Sequence, residues 1–177
     1  MPVPNEIQRL CSPVPWPPGG PRAGPATDDQ IATAEVRVGR RFPSQFREFL
    51  KYLNGPCIGP GGILGVEAAR EGLDLCRILS DYPEWNRRGW LPVAGDGCGN
   101  YYVLVLSEEG ESPVAFIDTA SSPETLAYVV ASDFWHFVTF LLQAELRKTP
   151  WPFSRADVLR DDPSLAECQV APLPWDA

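Results

Sequence analysis

Apolar residues along this chain fall into two helix-spaced blocks near the start, a run of short extended segments in the middle, and a third helical block toward the end. The first block opens on a capping pattern, Thr27 with Gln30 three positions on, continues through Ile31, Ala34 and Val38, and stops at Gly39. The second places Phe46, Phe49, Leu50 and Leu53 at i, i+3, i+4 and i+7, with Arg47, Glu48 and Lys51 outside; Asn54, Gly55 and Pro56 end it. The last block repeats that spacing in Phe134, Phe137, Val138 and Leu141, with Ser132 as the expected cap and Arg147 and Lys148 in the last turn.

Between Cys57 and Ala131 the pattern changes to β-branched and aromatic runs separated by Gly, Pro and Ser. Strands are expected at Ile63 to Val66, Tyr101 to Leu106, Val114 to Ile117 and Tyr128 to Val130, with a looser one at Leu91 to Ala94. The acidic segment Ser107 to Pro113 makes 101–117 an antiparallel hairpin, Glu67 to Arg70 a helical turn and Tyr82 to Trp90 a surface loop. Helices at both ends of a strand block describe an α+β domain.

Proline marks the boundaries. Eight of the 20 prolines fall in the first 25 residues, so residues 12–26 are expected to be extended, after a helical turn at Asn5 to Leu10 that docks through Ile7 and Leu10. From Pro150 another five prolines accompany Trp151, Phe153 and Trp175, a tail too aromatic to dangle. The expected organisation is a Pro-rich segment (1–26), one α+β domain (27–149) and a tail packing back on it (150–177). No run approaches the ~18 uncharged apolar residues of a membrane span, and Met1 to Leu10 lacks the features of a secretion signal.

Charge narrows the partners. The net charge of -8 is uneven: residues 1–54 sum to +2, 55–126 to -7 and 127–177 to -3. Such a chain is a poor ligand for a polyanion, so no nucleic acid is expected, and a cationic partner suits it better. Glu108, Glu109 and Glu111 in the hairpin turn, and Glu67, Glu71 and Asp74 before them, are the densest acidic groups. Five widely spaced cysteines without a Cys-x-x-Cys pair read as reduced thiols of a cytoplasmic protein.

Candidate chemistry is sparse. The single histidine, His136, lies on the final helix and reads as a packing or surface residue; a Cys-His pair stays open as an alternative. One histidine and unclustered thiols speak against zinc. Gly95-Asp96-Gly97-Cys98-Gly99-Asn100 lacks the closing Glu of a calcium loop and the Gly-Lys-Ser/Thr of a phosphate loop, and reads as a tight turn between strands. Trp85 and Trp90 bracket the polar Asn86, Arg87, Arg88 and Gly89; Trp90 is expected to anchor the core and Trp85 to be exposed for a partner.

Ile31, Glu35, Gly39, Phe42-Pro43, Phe46, Phe49-Leu50 and Asn54-Gly55 resemble the opening signature of the SUKH superfamily, the group related to the fungal Smi/Knr cell-wall synthesis regulators. Trp90, Pro92, Val93, Ala94, Asp96, Gly97, Gly99, Asn100 and Tyr101 are similar to its central motif, and the Phe-rich final helix to its closing one. Together they span about residues 27–146. Departures are Phe42 for Leu, Phe46 for Tyr, Pro56 for a second Gly, Gly95 inserted before Asp96, and Asn100 for Asp. The resemblance implies a single α+β domain in which a twisted, mainly antiparallel sheet is packed by N-terminal helices and a C-terminal helix. It also implies an immunity protein that neutralises a polymorphic or contact-dependent toxin, often a nuclease, by direct binding.

The leading expectation is therefore a cytoplasmic, non-enzymatic binding protein with no cofactor and no catalytic or metal-ligating residues. It would occlude a cognate basic toxin domain with an acidic, aromatic surface of the sheet and its loops. The partner-binding candidates are Trp85, Arg87, Arg88, Asp96, Asn100, Glu108, Glu109 and Glu111. One alternative is a regulatory scaffold with an endogenous partner, like the fungal relatives. Another is an enzyme using Cys98 with His136.

Overall fold

The computed structural model describes residues 2–14, 24–68, 70–107, 112–146 and 154–177. Helix α1 (Asn5–Cys11) buries Ile7, Leu10 and Cys11, as its short apolar spacing predicts. Helix α2 (Asp28–Val38) begins at the expected capping box: the Gln30 N–H donates to Thr27 Oγ1 at 3.1 Å and the Thr27 N–H to Gln30 Oε1 at 2.9 Å. It ends at Gly39, whose φ of 73° is the left-handed cap. Helix α3 (Ser44–Tyr52) buries Gln45, Phe46, Phe49 and Leu50. Glu35 stitches the two together, its Oε1 accepting from the Phe42 N–H at 2.7 Å and from Arg47 Nη1 at 3.1 Å.

Four strands follow: β1 (Trp90–Gly95), β2 (Tyr101–Val105), β3 (Val114–Ile117) and β4 (Tyr128–Ala131). They form one antiparallel sheet in the order β1-β2-β3-β4, and β2 with β3 is the expected hairpin. The β1 register shifts between Pro92 and Ala94, beside a proline that has no N–H to donate. Helix α6 (Phe134–Glu145) covers one sheet face, with Phe137 packing 5.1 Å from Tyr102. Neighbouring Tyr101 points the other way, toward Tyr82 and Trp85 at 5.9 and 5.5 Å. A series of rings, Phe46 to Phe134 and Phe137, then Tyr102, Phe116 and Tyr128, carries the core from α3 across the sheet.

Several expectations are corrected. The stretch Tyr82 to Trp90 is not a loop: it holds α5 (Pro83–Arg87), which follows directly on α4 (Leu75–Asp81). Helix α4 forms because Asp74 caps the Arg77 N–H at 3.1 Å and Leu75, Cys76, Ile78 and Leu79 share a buried face. Ile63 to Val66 is not a strand but makes single bridges, Ile63 to Ala94 and Gly65 to Asp74. Asn54 draws this segment away, its Oδ1 accepting from the Val66 N–H and its Nδ2 donating to the Val66 carbonyl, both at 2.8 Å. Glu67 takes a φ of 46°, and the tight helical turn begins later, at Glu71–Leu73. Asp133, not Ser132, caps α6 through the His136 N–H, because Ser132 is bonded to Asp162. Arg147 and Lys148 lie outside the described residues.

The described part of the tail holds helix α7 (Arg155–Asp161) and a 3-10 turn at Pro163–Glu167. Leu165 is fully buried, and the Val129 N–H on the outer edge of β4 donates to the Pro172 carbonyl at 2.9 Å. The opposite edge is covered too, since the Leu64 N–H donates to the Val93 carbonyl at 2.7 Å. Both sheet faces and both edges are thus occupied, which leaves the loops as the surface that strands can present.

Candidate interaction surface

Three loops meet where β1 ends and β2 begins. In the β1–β2 turn, Asp96 Oδ1 accepts from the Cys98 N–H at 2.7 Å and the Asn100 N–H at 3.0 Å, and its Oδ2 accepts from Asn100 Nδ2 at 2.8 Å. Asn100 Oδ1 in turn accepts from the Thr119 N–H at 3.0 Å, while the Thr119 hydroxyl donates to the Gly99 carbonyl at 2.9 Å. Asp118 organises the following residues, accepting from the Ala120 and Ser121 N–H groups and the Ser121 hydroxyl. The expected tight turn is therefore pinned to the loop after β3.

The glycine-rich loop 59–62 is wedged against the same turn. A Cβ on Gly61 would lie 2.4 Å from the Gly95 carbonyl carbon, and one on Gly97, whose φ is 81°, 2.7 Å from the Pro60 carbonyl oxygen. Only glycine at both positions lets the two backbones touch. The Gly59 N–H donates to Glu145 Oε2 at 3.2 Å, which anchors this loop to the end of α6. Gly97, Cys98 and Gly99 are left exposed at the tip.

The other end of the 118–125 loop reaches α5. The Pro123 carbonyl accepts from Trp85 Nε1 at 2.6 Å, and the Glu124 carbonyl from Arg88 Nη1 at 2.6 Å. Arg88 also lies 5.2 Å over the Trp90 ring and 3.2 Å from Glu84, which pairs with Arg87 as well. Those two guanidiniums hold the Glu84 carboxyl below its ordinary range. The 118–125 loop thus touches the β1–β2 turn through Thr119 and α5 and its end through Pro123 and Glu124, which links Asn100 and Asp96 with Arg88.

Trp85 does not belong to that surface. It is 1% exposed, stacks on Tyr82 at 4.1 Å and spends its N–H on Pro123, so the expectation of an exposed anchor is overturned. The ring is too large and too apolar to stay in water when it can instead cover the sheet face beside Tyr101. Trp90 is half-buried against the core, as expected of an anchor. Glu108, Glu109 and Glu111 lie outside the described residues.

Carboxylates dominate the electrostatics here. Burial raises the Tyr101 hydroxyl above its ordinary pKa, with Tyr82, Asp81 and Asp96 adding to the shift. Burial likewise raises Tyr128, reinforced by Asp96 and Asp118. Both phenols therefore stay neutral through the physiological range. Hydrogen bonds from the Ser121 hydroxyl and backbone lower Asp118. Among the described residues the partners of Asp96 and Asp118 are N–H and hydroxyl groups, with no Lys or Arg. These two charges are held in place without being neutralised.

The alternative chemistry finds these surroundings. Cys98 is exposed at the turn tip, whereas the His136 imidazole lies between carboxylates, Nδ1 being 3.0 Å from Asp133 and 3.9 Å from Asp162. No contact joins the two among the described residues, and there no three His, Cys, Asp or Glu side chains converge as a metal site. The five cysteines are all free thiols. No described helix is long and apolar enough to cross a membrane.

Sequence reasoning found Asp96 and Asn100 but missed Thr119, Asp118 and the 59–62 wedge. Asp118, followed three residues on by Ser121, carries a local turn signal that would have found it. The contact of Gly61 with Gly95 and Gly97 leaves no local trace.

No curated protein matches the chain at a significant level. The family model described as the SMI1 / KNR4 family (SUKH-1) matches residues 25–139, which hold α2, α3, the whole sheet, the three loops and the first half of α6. With well over half of its length matched, the chain belongs to the SMI1 / KNR4 (SUKH-1) family.

Proposed function

We propose that this protein is a non-enzymatic, cytoplasmic binding protein that neutralises a basic toxin domain, in the manner of an immunity protein, through the loop surface around Asp96, Asn100 and Thr119. The observation that carries this reading is the rigid turn network. It displays Asp96 and Asp118 without cationic partners among the described residues, on a scaffold whose loops are fixed before any partner arrives. A preorganised surface loses little conformational freedom on association, and unneutralised carboxylates speed encounter with a cation-rich face. Family membership supports a role of this kind. Arg87 and Arg88, already engaged with Glu84 and Glu124, belong to the rim and fix register more than affinity.

The test is association kinetics with the product of a neighbouring toxin gene. The on-rate should fall steeply with salt, and D96K, or joint charge reversal of Glu108, Glu109 and Glu111, should slow association and flatten that dependence. Unchanged on-rates at low salt would remove those residues from the interface. A second reading that family membership also fits is a regulatory scaffold with an endogenous partner. A large secreted gene with a variable carboxyl-terminal domain immediately upstream separates the two, since its presence fits immunity and its absence the scaffold.

A further inference from the structure

The tail beyond the family match is fastened to the body by a buried acid. Asp162, just past α7, is fully buried; its Oδ2 accepts from the Ser132 N–H at 2.7 Å and its Oδ1 from the Ser132 hydroxyl at 2.6 Å. Such a carboxylate is costly to bury unless its charge is compensated. Among the described residues, the ionisable base beside it is His136, whose Nδ1 lies 3.9 Å from Asp162 Oδ1 and 3.0 Å from Asp133 Oδ1. The imidazole is not sealed in. Its side chain is 38% exposed and lines a groove of about 410 Å³ between α1, α6 and α7, together with Glu6, Ile7, Phe140 and Asp161.

We propose that His136 is a proton-operated latch for the C-terminal segment: its protonated ring holds Asp162 in place, and its deprotonation loosens residues 155–176 from Ser132 and from the β4 edge. Among the described residues, the charged groups facing the ring are carboxylates and work in one direction. Asp133 comes from the α6 cap, Asp161 and Asp162 from the tail, and Glu6 from α1 across the groove. On the same elements, Arg160 pairs with Asp157 and Asp161, and Arg9 lies 4.0 Å from Glu6. Contact with the Asp133 carboxylate raises the imidazole above its ordinary pKa; partial burial opposes this, and the charges of Asp133, Asp162 and Asp161 add to the rise.

The sign follows from linkage. A base whose folded pKa is raised stabilises the docked state fully below its ordinary value near 6.5, and that stabilisation is lost as pH rises through the raised value. Asp133, lowered despite its burial by its bonds with His136, keeps its charge down into the acid range. The latch is therefore closed in mildly acidic solution and opens toward alkaline pH. What it releases is specific: the Val129 N–H, bonded to Pro172, becomes a free donor on an edge strand.

Hydrogen exchange read residue by residue by NMR on the full chain, corrected for intrinsic rates, tests this between about pH 5.5 and 8.5. The amides of Ser132, Val129, Asp162 and Leu165 should lose protection relative to those of α3, about tenfold for each unit by which the directly titrated His136 pKa exceeds its ordinary value. H136Q should remove the pH dependence while leaving α3 protection unchanged. D162N should lower the His136 titration point. Tail protection that stays flat across the His136 transition, the same pH dependence in H136Q, or a titration point unmoved by D162N would each overturn the latch.

Discussion

Replacing Asn54 tests how the glycine-rich segment is held to the body. In the Asn54→Ala variant, Val66, which is fully buried, loses the partners of both its N–H and its carbonyl, each bonded to the Asn54 amide at 2.8 Å. A buried polar group left unpaired costs about 1–3 kcal/mol, so with some relaxation N54A should lose about 2–4 kcal/mol. Asn54→Asp is more diagnostic. Its carboxylate keeps the acceptor but sets a negative oxygen against the Val66 carbonyl, so at neutral pH it should be at least as destabilised as N54A. Once protonated, that oxygen becomes a donor. The folded-state pKa of the new acid is therefore raised, and N54D should regain stability over wild type as pH falls through it. Urea denaturation followed by far-UV circular dichroism at several pH values reads both effects. An N54A loss below about 0.5 kcal/mol, or an N54D deficit independent of pH, would refute the clamp.

Other outcomes follow from the same contacts. W85F puts a smaller single ring in place of the buried indole, leaving a cavity and the Pro123 carbonyl without its donor; chemical denaturation should show a loss of about 2–3 kcal/mol with no change in partner affinity. In G61A the new methyl meets the backbone of Gly95 at 2.4 Å with no flexible side chain to yield, so its unfolding midpoint should report a loss of about 1–3 kcal/mol or more. D96A frees the Cys98 and Asn100 N–H groups. It should lower the thermal midpoint by a few degrees, about 1–2 kcal/mol, and raise amide exchange across 97–100 while leaving α6 untouched.

What the sequence disclosed and what it hid divide along a physical line. The α2 capping box, the Gly39 cap, the α3 stripe and the β2–β3 hairpin depend on residues within a few positions of one another, and local patterning shows them. Helices α4 and α5 were hidden because each is five to seven residues long, less than two turns of periodicity. The fate of Trp85 depended on Tyr82, Tyr101 and Pro123, partners 3, 16 and 38 positions away, and a ring flanked by arginines looked like a surface residue until those contacts closed over it. Ser132 carried a sound cap signal, and Asp162, thirty positions on, diverted its hydroxyl. Of the candidate surface, Asp96 and Asn100 announced themselves through turn chemistry. Their joining to Arg88 through the 118–125 loop is tertiary and left no local pattern.

Whether a fixed acidic loop surface captures a cationic protein can be read by mixing the purified chain with the product of any toxin gene found beside its own. Stoichiometry and on-rate should be measured at low and high salt for the wild type and for D96K. The expected result is a one-to-one complex that abolishes toxicity, an on-rate that falls as salt rises, and a slower, less salt-sensitive on-rate in D96K. A complex whose on-rate ignores both salt and the substitution would contradict it, as would no complex at all.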